Sequence, residues 1–266
     1  MKVGVTLRNM GPESSKESLL ECATMAEEAG LDHVWVVDHI AIPPDDAEGS
    51  EGRYLDPLAA SMFLAATTSK IEFGISVLVL PYRPPLPTAK WVATIQELSE
   101  GRFHLGVGAG WMKEEFRALG VEREKRGEIT NDTLEVMLKC FNAPDDCVEI
   151  NGQKILFRPR PPRPPIYVGG MGLAAKRRAV RYGDGWMPIR LEPDELEKEI
   201  QSLVGLAEEA NRPVPKIVFM GSLPSDRAES CERLQAFEEL GVSHFIEVSR
   251  YTDRKSFEQR LVRVRP

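Results

Sequence analysis

Apolar, largely β-branched runs recur along the chain at Val3 to Leu7, His33 to Val37, Ile71 to Leu80, Phe103 to Val107, Pro165 to Val168, Gly185 to Pro188, Lys216 to Gly221 and His244 to Val248. Short runs of this kind predict eight buried strands. The segments between them carry apolar residues at helical spacing. Leu19, Leu20, Ala23 and Ala26 mark the first such helix, and Leu196, Ile200, Leu203, Val204 and Ala207 a later one.

The junctions repeat as well. Glu27-Glu28-Ala29-Gly30-Leu31-Asp32-His33 and Glu238-Glu239-Leu240-Gly241-Val242-Ser243-His244 are near copies, and Gly101 and Gly183 fall in equivalent places. A glycine after the last helical turn predicts a left-handed C-terminal cap. Eight helix-cap-strand units fill most of the chain, which fits a closed parallel barrel better than an open sheet. The expected fold class is therefore α/β, a (β/α)8 TIM barrel, as a single domain over residues 1–266. An open dinucleotide-binding sheet is the fallback, but Arg8-Asn9-Met10-Gly11-Pro12 stands where its G-x-G-x-x-G would follow the first strand.

Two stretches interrupt the alternation. Ala41 to Tyr54 is polar and follows the second strand, which puts it on the C-terminal, active face as a possible lid. The excursion at about 142–164 contains Val148 to Leu156 with Asn151-Gly152 at its centre, a β-hairpin signature. It follows a helix and precedes a strand, so it belongs on the N-terminal face, with a structural or oligomer-contact role.

Composition narrows the function. A chain that is 42% hydrophobic and 28% charged has a core and is not disordered. No apolar run is long enough for a membrane helix, and the N-terminus turns polar too soon for a signal peptide, so the expectation is a cytoplasmic protein. The net charge of −7, without a basic block, argues against a nucleic-acid partner. Cys22, Cys140, Cys147 and Cys231 show neither zinc nor disulfide spacing.

In a barrel, groups at the C-terminal strand ends converge on one mouth. These are Arg8; Asp38 and His39; Ser76 to Leu80; Gly108 to Trp111; Gly169 and Gly170; Pro188 to Arg190; Gly221 and Ser222; and Ser249 and Arg250. His33, His104 and His244 open their strands and face the other end, leaving His39 at the mouth. There is no H-x-H, H-E-x-x-H or G-x-S-x-G, so no metal is expected, and a zinc-dependent hydrolase is the weaker reading. What the mouth offers is glycine, aromatic rings and backbone amides, which suits a planar cofactor. Gly169-Gly170-Met171-Gly172-Leu173-Ala174-Ala175 runs from a strand into a helix, where free amides meet an anion, or it is simply a turn. Gly106-Val107-Gly108-Ala109-Gly110-Trp111 is a second glycine-rich strand end, its Trp111 either core or pocket wall, and Arg177 and Arg178 read as helix-surface charges.

Four ordered blocks together resemble the bacterial-luciferase-like superfamily of flavin and deazaflavin oxidoreductases, especially its branch dependent on coenzyme F420. They are Val36 to His39, Gly101 to Trp111, Pro164 to Gly170 and Ala179 to Pro188, within a resemblance covering residues 1 to about 250. The resemblance implies F420-dependent hydride transfer to or from a small organic substrate, with FMN-dependent two-component monooxygenation as the alternative and a non-catalytic cofactor-binding protein as a further one. It places His39 near the reactive ring, with Asp38 helping to orient it, as the catalytic pair, while the residues themselves also allow Asp38 a structural role. Ser76 and Val77 correspond to a non-proline cis peptide behind the ring. Gly108, Ala109 and Gly110 line the cofactor, and Gly169, Gly170, Met171, Gly172, Ala174 and Ala175 bind its phosphate. Arg8, Arg190 and Arg250 are candidates for its anionic tail. A homodimer is implied, through the exposed faces of the second and third helices. Two departures stand out: Trp111 replaces the glutamate that serves sugar-phosphate oxidation, and Arg126-Gly127-Glu128-Ile129 lacks the second arginine of an R-G-x-R pattern.

Overall fold

The apolar runs become the staves of a closed barrel in the computed structural model, which describes residues 1–264. The chain runs through β1 (Lys2–Thr6), α1 (Lys16–Glu28), β2 (His33–Val36), α2 (Pro57–Thr67), β3 (Glu72–Val79), α3 (Pro85–Leu98) and β4 (Phe103–Gly108). Then come α4 (Lys113–Ala118), α5 (Arg126–Asn142), the pair β5 (Cys147–Ile150) and β6 (Gln153–Leu156), and β7 (Ile166–Gly169). The final third comprises α6 (Leu173–Tyr182), β8 (Gly185–Met187), α7 (Pro193–Glu209), β9 (Lys216–Gly221), α8 (Arg227–Glu239), β10 (Val242–Glu247) and α9 (Arg254–Val264).

The barrel closes in the order β1-β10-β9-β8-β7-β4-β3-β2, every pair parallel. Closure removes sheet edges and leaves the strands buried on both sides. Trp35, Tyr167, Met187, Val218, Met220 and Ile246 plug the lumen, while the larger apolar cluster lies between strands and helices. Small residues make room for the plug: a Cβ on Gly74 would lie 2.3 Å from the Trp35 ring, and one on Gly4 1.9 Å from His33. The seam between β1 and β10 is locked by Arg260 of α9, which is fully buried, pairs with Glu247 and donates to the Thr6 carbonyl at 2.7 Å and to its hydroxyl at 2.9 Å. Among the described residues no helix is long and apolar enough to cross a membrane.

Gly30, Gly101 and Gly241 adopt the left-handed caps that the repeats predict, with φ of 76°, 86° and 82°. Gly183 departs from the pattern, at φ −95°. Its glycine answers to crowding instead, since a Cβ would meet the Ala179 and Gly185 carbonyls at 3.1 Å. β5 and β6 pair antiparallel around Asn151 (φ 51°) and Gly152 (φ 75°), the two positive dihedrals of a tight hairpin turn. This hairpin joins α5 to β7, at the N-terminal end of the strands.

At the other end, one irregularity shapes the mouth. The β3–β4 register shifts between Ile75 and Leu78, and Ser76 and Val77, joined by a cis peptide, occupy the bulge. A bulge re-aims the side chains it contains.

Candidate active site

The C-terminal strand ends enclose a cavity of about 520 Å³, which the bulge borders through Ser76 and Val77. Gly108 ends β4 and Gly169 ends β7, and a Cβ on either would lie 2.6 to 2.7 Å from a Val77 methyl. The two glycines and Val77 therefore interlock as one wall. Ala109 and Gly110 continue it toward Trp111, which is 67% exposed at the rim rather than in the core.

Asp38 and His39 leave β2 together but point to different partners. Asp38 is buried and accepts a bidentate pair from Arg83 (2.6 and 2.9 Å) and the Val79 amide (2.8 Å). Arg83 also reaches Asp56, the cap of α2, at 2.8 Å. Asp38 thus fixes the strand ends to one another, and the expectation that it orients His39 is not met. That task falls to Glu115 of α4, a residue the sequence reading does not single out. Its carboxylate accepts from His39 Nδ1 at 2.8 Å, the Tyr82 hydroxyl at 2.9 Å, and the Ile40 and Ala41 amides at 2.7 and 3.1 Å. Burial pushes the Glu115 carboxyl up, but His39 and the two amides outweigh it and hold the group below its ordinary range. Tyr82 goes the other way: burial and the Glu115 charge push its hydroxyl far up, so it stays a donor.

An ionised carboxylate only accepts. A neutral His39 must then carry its proton on Nδ1, leaving Nε2 as a lone pair without a protein partner among the described residues. Tyr54 and Trp111 flank the imidazole, with ring centroids 5.1 and 6.1 Å away. The arrangement supplies an oriented proton acceptor at one side of the cavity.

The other side is a cradle for an anion. Gly169, Gly170, Gly172, Ala174 and Ala175 line it, and the Gly170 carbonyl is held by Trp186 Nε1 at 2.8 Å. Gly172 caps α6, and the Leu173 and Ala174 amides of its first turn are free to meet an anion, whereas the Ala175 amide, also expected to do so, donates to the Gly172 carbonyl at 2.9 Å. Met171 does not line the cavity and packs on the core cluster. Arg178, which reads as a surface charge, instead lines the cavity with Arg126. It is held by Asn131 Oδ1 at 2.7 Å and the Gly127 carbonyl at 3.1 Å, both on α5. Spacing offers a signal for it, because Arg178 lies four residues beyond Ala174 on the same helical face.

A second cavity of about 380 Å³ adjoins the first on the β1–β10 side and shares Val37, Ser76, Ile189 and Met220 with it. Arg8, Arg190 and Arg250 line it, together with Glu48 to Ser50 and Tyr54 from the Ala41 to Tyr54 loop. At the opposite end of the barrel, Glu72, His104 and His244 bring ligand-type atoms within 4.8 Å of one another. That group closes on itself. Lys2 holds both Glu72 oxygens, at 2.6 and 2.8 Å, and His104 Nε2 lies 3.2 Å from one of them.

Comparison with known proteins agrees with the barrel. Residues 1–260 match the family model described as luciferase-like monooxygenase. An uncharacterized protein of Mycobacterium tuberculosis is 33% identical over 242 residues, covering 84% of this chain and 82% of the relative. An F420-dependent glucose-6-phosphate dehydrogenase of Amycolatopsis mediterranei is 29% identical over 260 residues, covering 91% and 75%. Among solved structures, an F420-dependent secondary alcohol dehydrogenase in complex with an F420-acetone adduct superposes with a TM-score of 0.83 at 20% identity, over 99% of this chain and 97% of the other. The oxygenating constituent of 3,6-diketocamphane monooxygenase from a Pseudomonas putida plasmid, in complex with FMN, gives 0.78 at 15% identity over 99% and 96%.

Proposed function

We propose that this chain, a member of the luciferase-like monooxygenase family, is an oxidoreductase that works with coenzyme F420 on a small organic substrate. The single observation behind this reading is the bipolar cavity: an anion cradle at one side and an oriented, partner-free imidazole nitrogen at the other. A phosphorylated tricyclic cofactor fits those residues. Arg126, Arg178 and the free α6 amides would hold its phosphate, and the wall built by the Val77 methyls against Gly108 and Gly169 would lie against its ring. The F420-dependent dehydrogenase of Amycolatopsis mediterranei among the relatives supports the deazaflavin over FMN.

When bound, such a cofactor supplies a hydride acceptor or donor. The protein supplies the proton path. In alcohol oxidation His39 Nε2 accepts the hydroxyl proton, and the positive charge that develops on the imidazole is met by Glu115 on Nδ1. In the reverse direction the same nitrogen returns it. The carboxylate also pins the Ile40 and Ala41 amides, so the loop that carries His39 cannot drift from the mouth.

Titration of the purified protein with F420 and with FMN tests this. Micromolar binding of F420, and loss of turnover in His39→Ala without loss of cofactor binding, is the expected result. Binding of FMN alone would move the chain to oxygen-activating chemistry, and binding of neither would overturn the proposal.

A further inference from the structure

The adjoining cavity carries a charge imbalance that the cofactor cradle does not need. Arg8 is 7% exposed, donates to the Gly49 carbonyl at 2.8 Å and has its Nε 3.1 Å from Glu13 Oε2, so its charge is matched. Arg190 and Arg250 are not matched: among the described residues neither side chain has a carboxylate or hydrogen-bond partner, although both border the cavity. Glu48 is the one carboxylate in the lining. Glycine opens the space around the guanidinia, since a Cβ on Gly49 would lie 2.7 Å from Arg250 Nη1 and one on Gly11 2.7 Å from Arg8 Nη2. Arg190 is held at φ 56°, rare for a residue with a side chain, by its amide bond to the Met220 carbonyl at 2.9 Å. Between the two cavities sits Ser76, 7% exposed, whose buried hydroxyl has no partner.

The α6 cradle lines only the first cavity, and this cavity joins it through Val37, Ser76, Ile189 and Met220, so a group held here lies next to the space that His39 lines. We propose that Arg190 and Arg250, backed by Arg8, bind the oxyanion of the substrate, and that Ser76 Oγ donates to it or to the reacting oxygen. The substrate class is then a small organic anion, a carboxylate or phosphate ester, with its alcohol or carbonyl carbon between the guanidinia and His39. This rests on the proposed function for the identity of the site as catalytic, but the anion site itself is independent of which cofactor is bound.

The test is calorimetric titration of the full chain, without added cofactor, with succinate, with inorganic phosphate and with neutral 1,4-butanediol. Arg190→Gln/Arg250→Gln and Arg126→Gln/Arg178→Gln serve as the two variants, and F420 titrations run in parallel. The expected result is that succinate or phosphate binds and the diol does not. Affinity falls roughly tenfold or more in the Arg190→Gln/Arg250→Gln variant, as for loss of charge-assisted hydrogen bonds, with F420 affinity unchanged. Whichever anion loses more names the substrate's charged group. Because phosphate can also enter the open α6 cradle, the decisive background is Arg126→Gln/Arg178→Gln: the inference is overturned if neither anion binds there, if the affinity that persists there is unchanged when Arg190→Gln/Arg250→Gln is added, or if F420 binding falls with Arg190 and Arg250, which would make them holders of the cofactor tail. Failure of F420 and FMN to bind would instead count against the proposed function alone. Both arginines are exposed, so the variants should fold, and an unchanged melting temperature checks that they do.

Discussion

Glu115→Gln removes one charge and almost no volume, so it isolates what the carboxylate does for His39. The glutamine oxygen can keep the amide bonds from Ile40 and Ala41, but its NH2 group then faces His39 Nδ1 and the Tyr82 hydroxyl, two donors in the native site. The tyrosine hydroxyl can rotate to accept; the imidazole can accept only by moving its proton from Nδ1 to Nε2. Hydrogen bonds to a charged group contribute about 1.5–3 kcal/mol and neutral ones about 0.5–1.5. Four weakened bonds, partly offset by the easier burial of a neutral amide, put the net loss at roughly 2 kcal/mol, or ~4–8 °C in melting temperature for a chain of this size. The larger effect is on the reaction. An Nε2 that carries a proton cannot accept one, and positioned acid–base groups supply about 10²–10⁴ in rate, so kcat should fall by roughly 10² or more with little change in cofactor affinity. Nitrogen-15 shifts of the His39 ring report the tautomer at neutral pH, and single-turnover absorbance of the cofactor reports the chemical step. A variant that folds, keeps its proton on Nδ1 and retains kcat within about threefold would refute the positioning role of Glu115.

Three further outcomes follow from the geometry. Two histidines at the end of the barrel opposite the mouth are held neutral by burial, His244 down to about 4 and His33 well below its ordinary value. Their unfolded pKa is near 6.5, so their contribution is complete above that pH and lost as pH falls toward 4; for His244 this is about 3 kcal/mol, and calorimetric melting from pH 7.5 to 4.5 should show a steep decline that is shallower in His244→Asn. Gly169→Ala drives a Cβ to within 2.7 Å of Val77, and overpacking of about 1–3 kcal/mol should appear as weaker cofactor binding by fluorescence titration, with the barrel still folded. Arg260→Ala strands the buried Glu247 carboxylate and frees the Thr6 carbonyl, and a loss of about 3–5 kcal/mol should be measurable by urea denaturation, whereas cofactor affinity in the folded protein should not change.

Much of the barrel is legible because its signals are local. Each strand is a short apolar run, and the observed β9, Lys216–Gly221, has the bounds the apolar run predicts. The Asn151-Gly152 turn states its own geometry. Gly183 is misread because a glycine that answers to crowding looks the same in sequence as one that answers to a left-handed cap. The mouth residues are legible once eight strands are counted, since position at a strand end is enough to place them. Pairings across the mouth are not. Asp38 precedes His39 in sequence, yet adjacent side chains at a strand end diverge, and the partner of His39 lies 76 residues on in α4. Nothing local distinguishes Glu115 from the neighbouring Glu114, which lies exposed on the same short helix. Arg178 is hidden for a related reason: flanked by Arg177 and Arg181, it reads as part of a solvated face, and only the approach of α5 shows that it turns inward.

The interlocked wall of Val77, Gly108 and Gly169 also constrains how this pocket can be altered over generations. Either glycine is barred from acquiring a side chain while the valine is full-sized, because the methyls already occupy the space. Reduction of Val77 to alanine lifts the bar on both at once. The three positions therefore form an epistatic set with a fixed order of permitted steps, the valine first and a glycine second. A mutational walk toward a differently shaped ring site that begins at either glycine passes through a defective intermediate, so libraries that vary the three codons jointly should recover functional combinations that single-site scans discard.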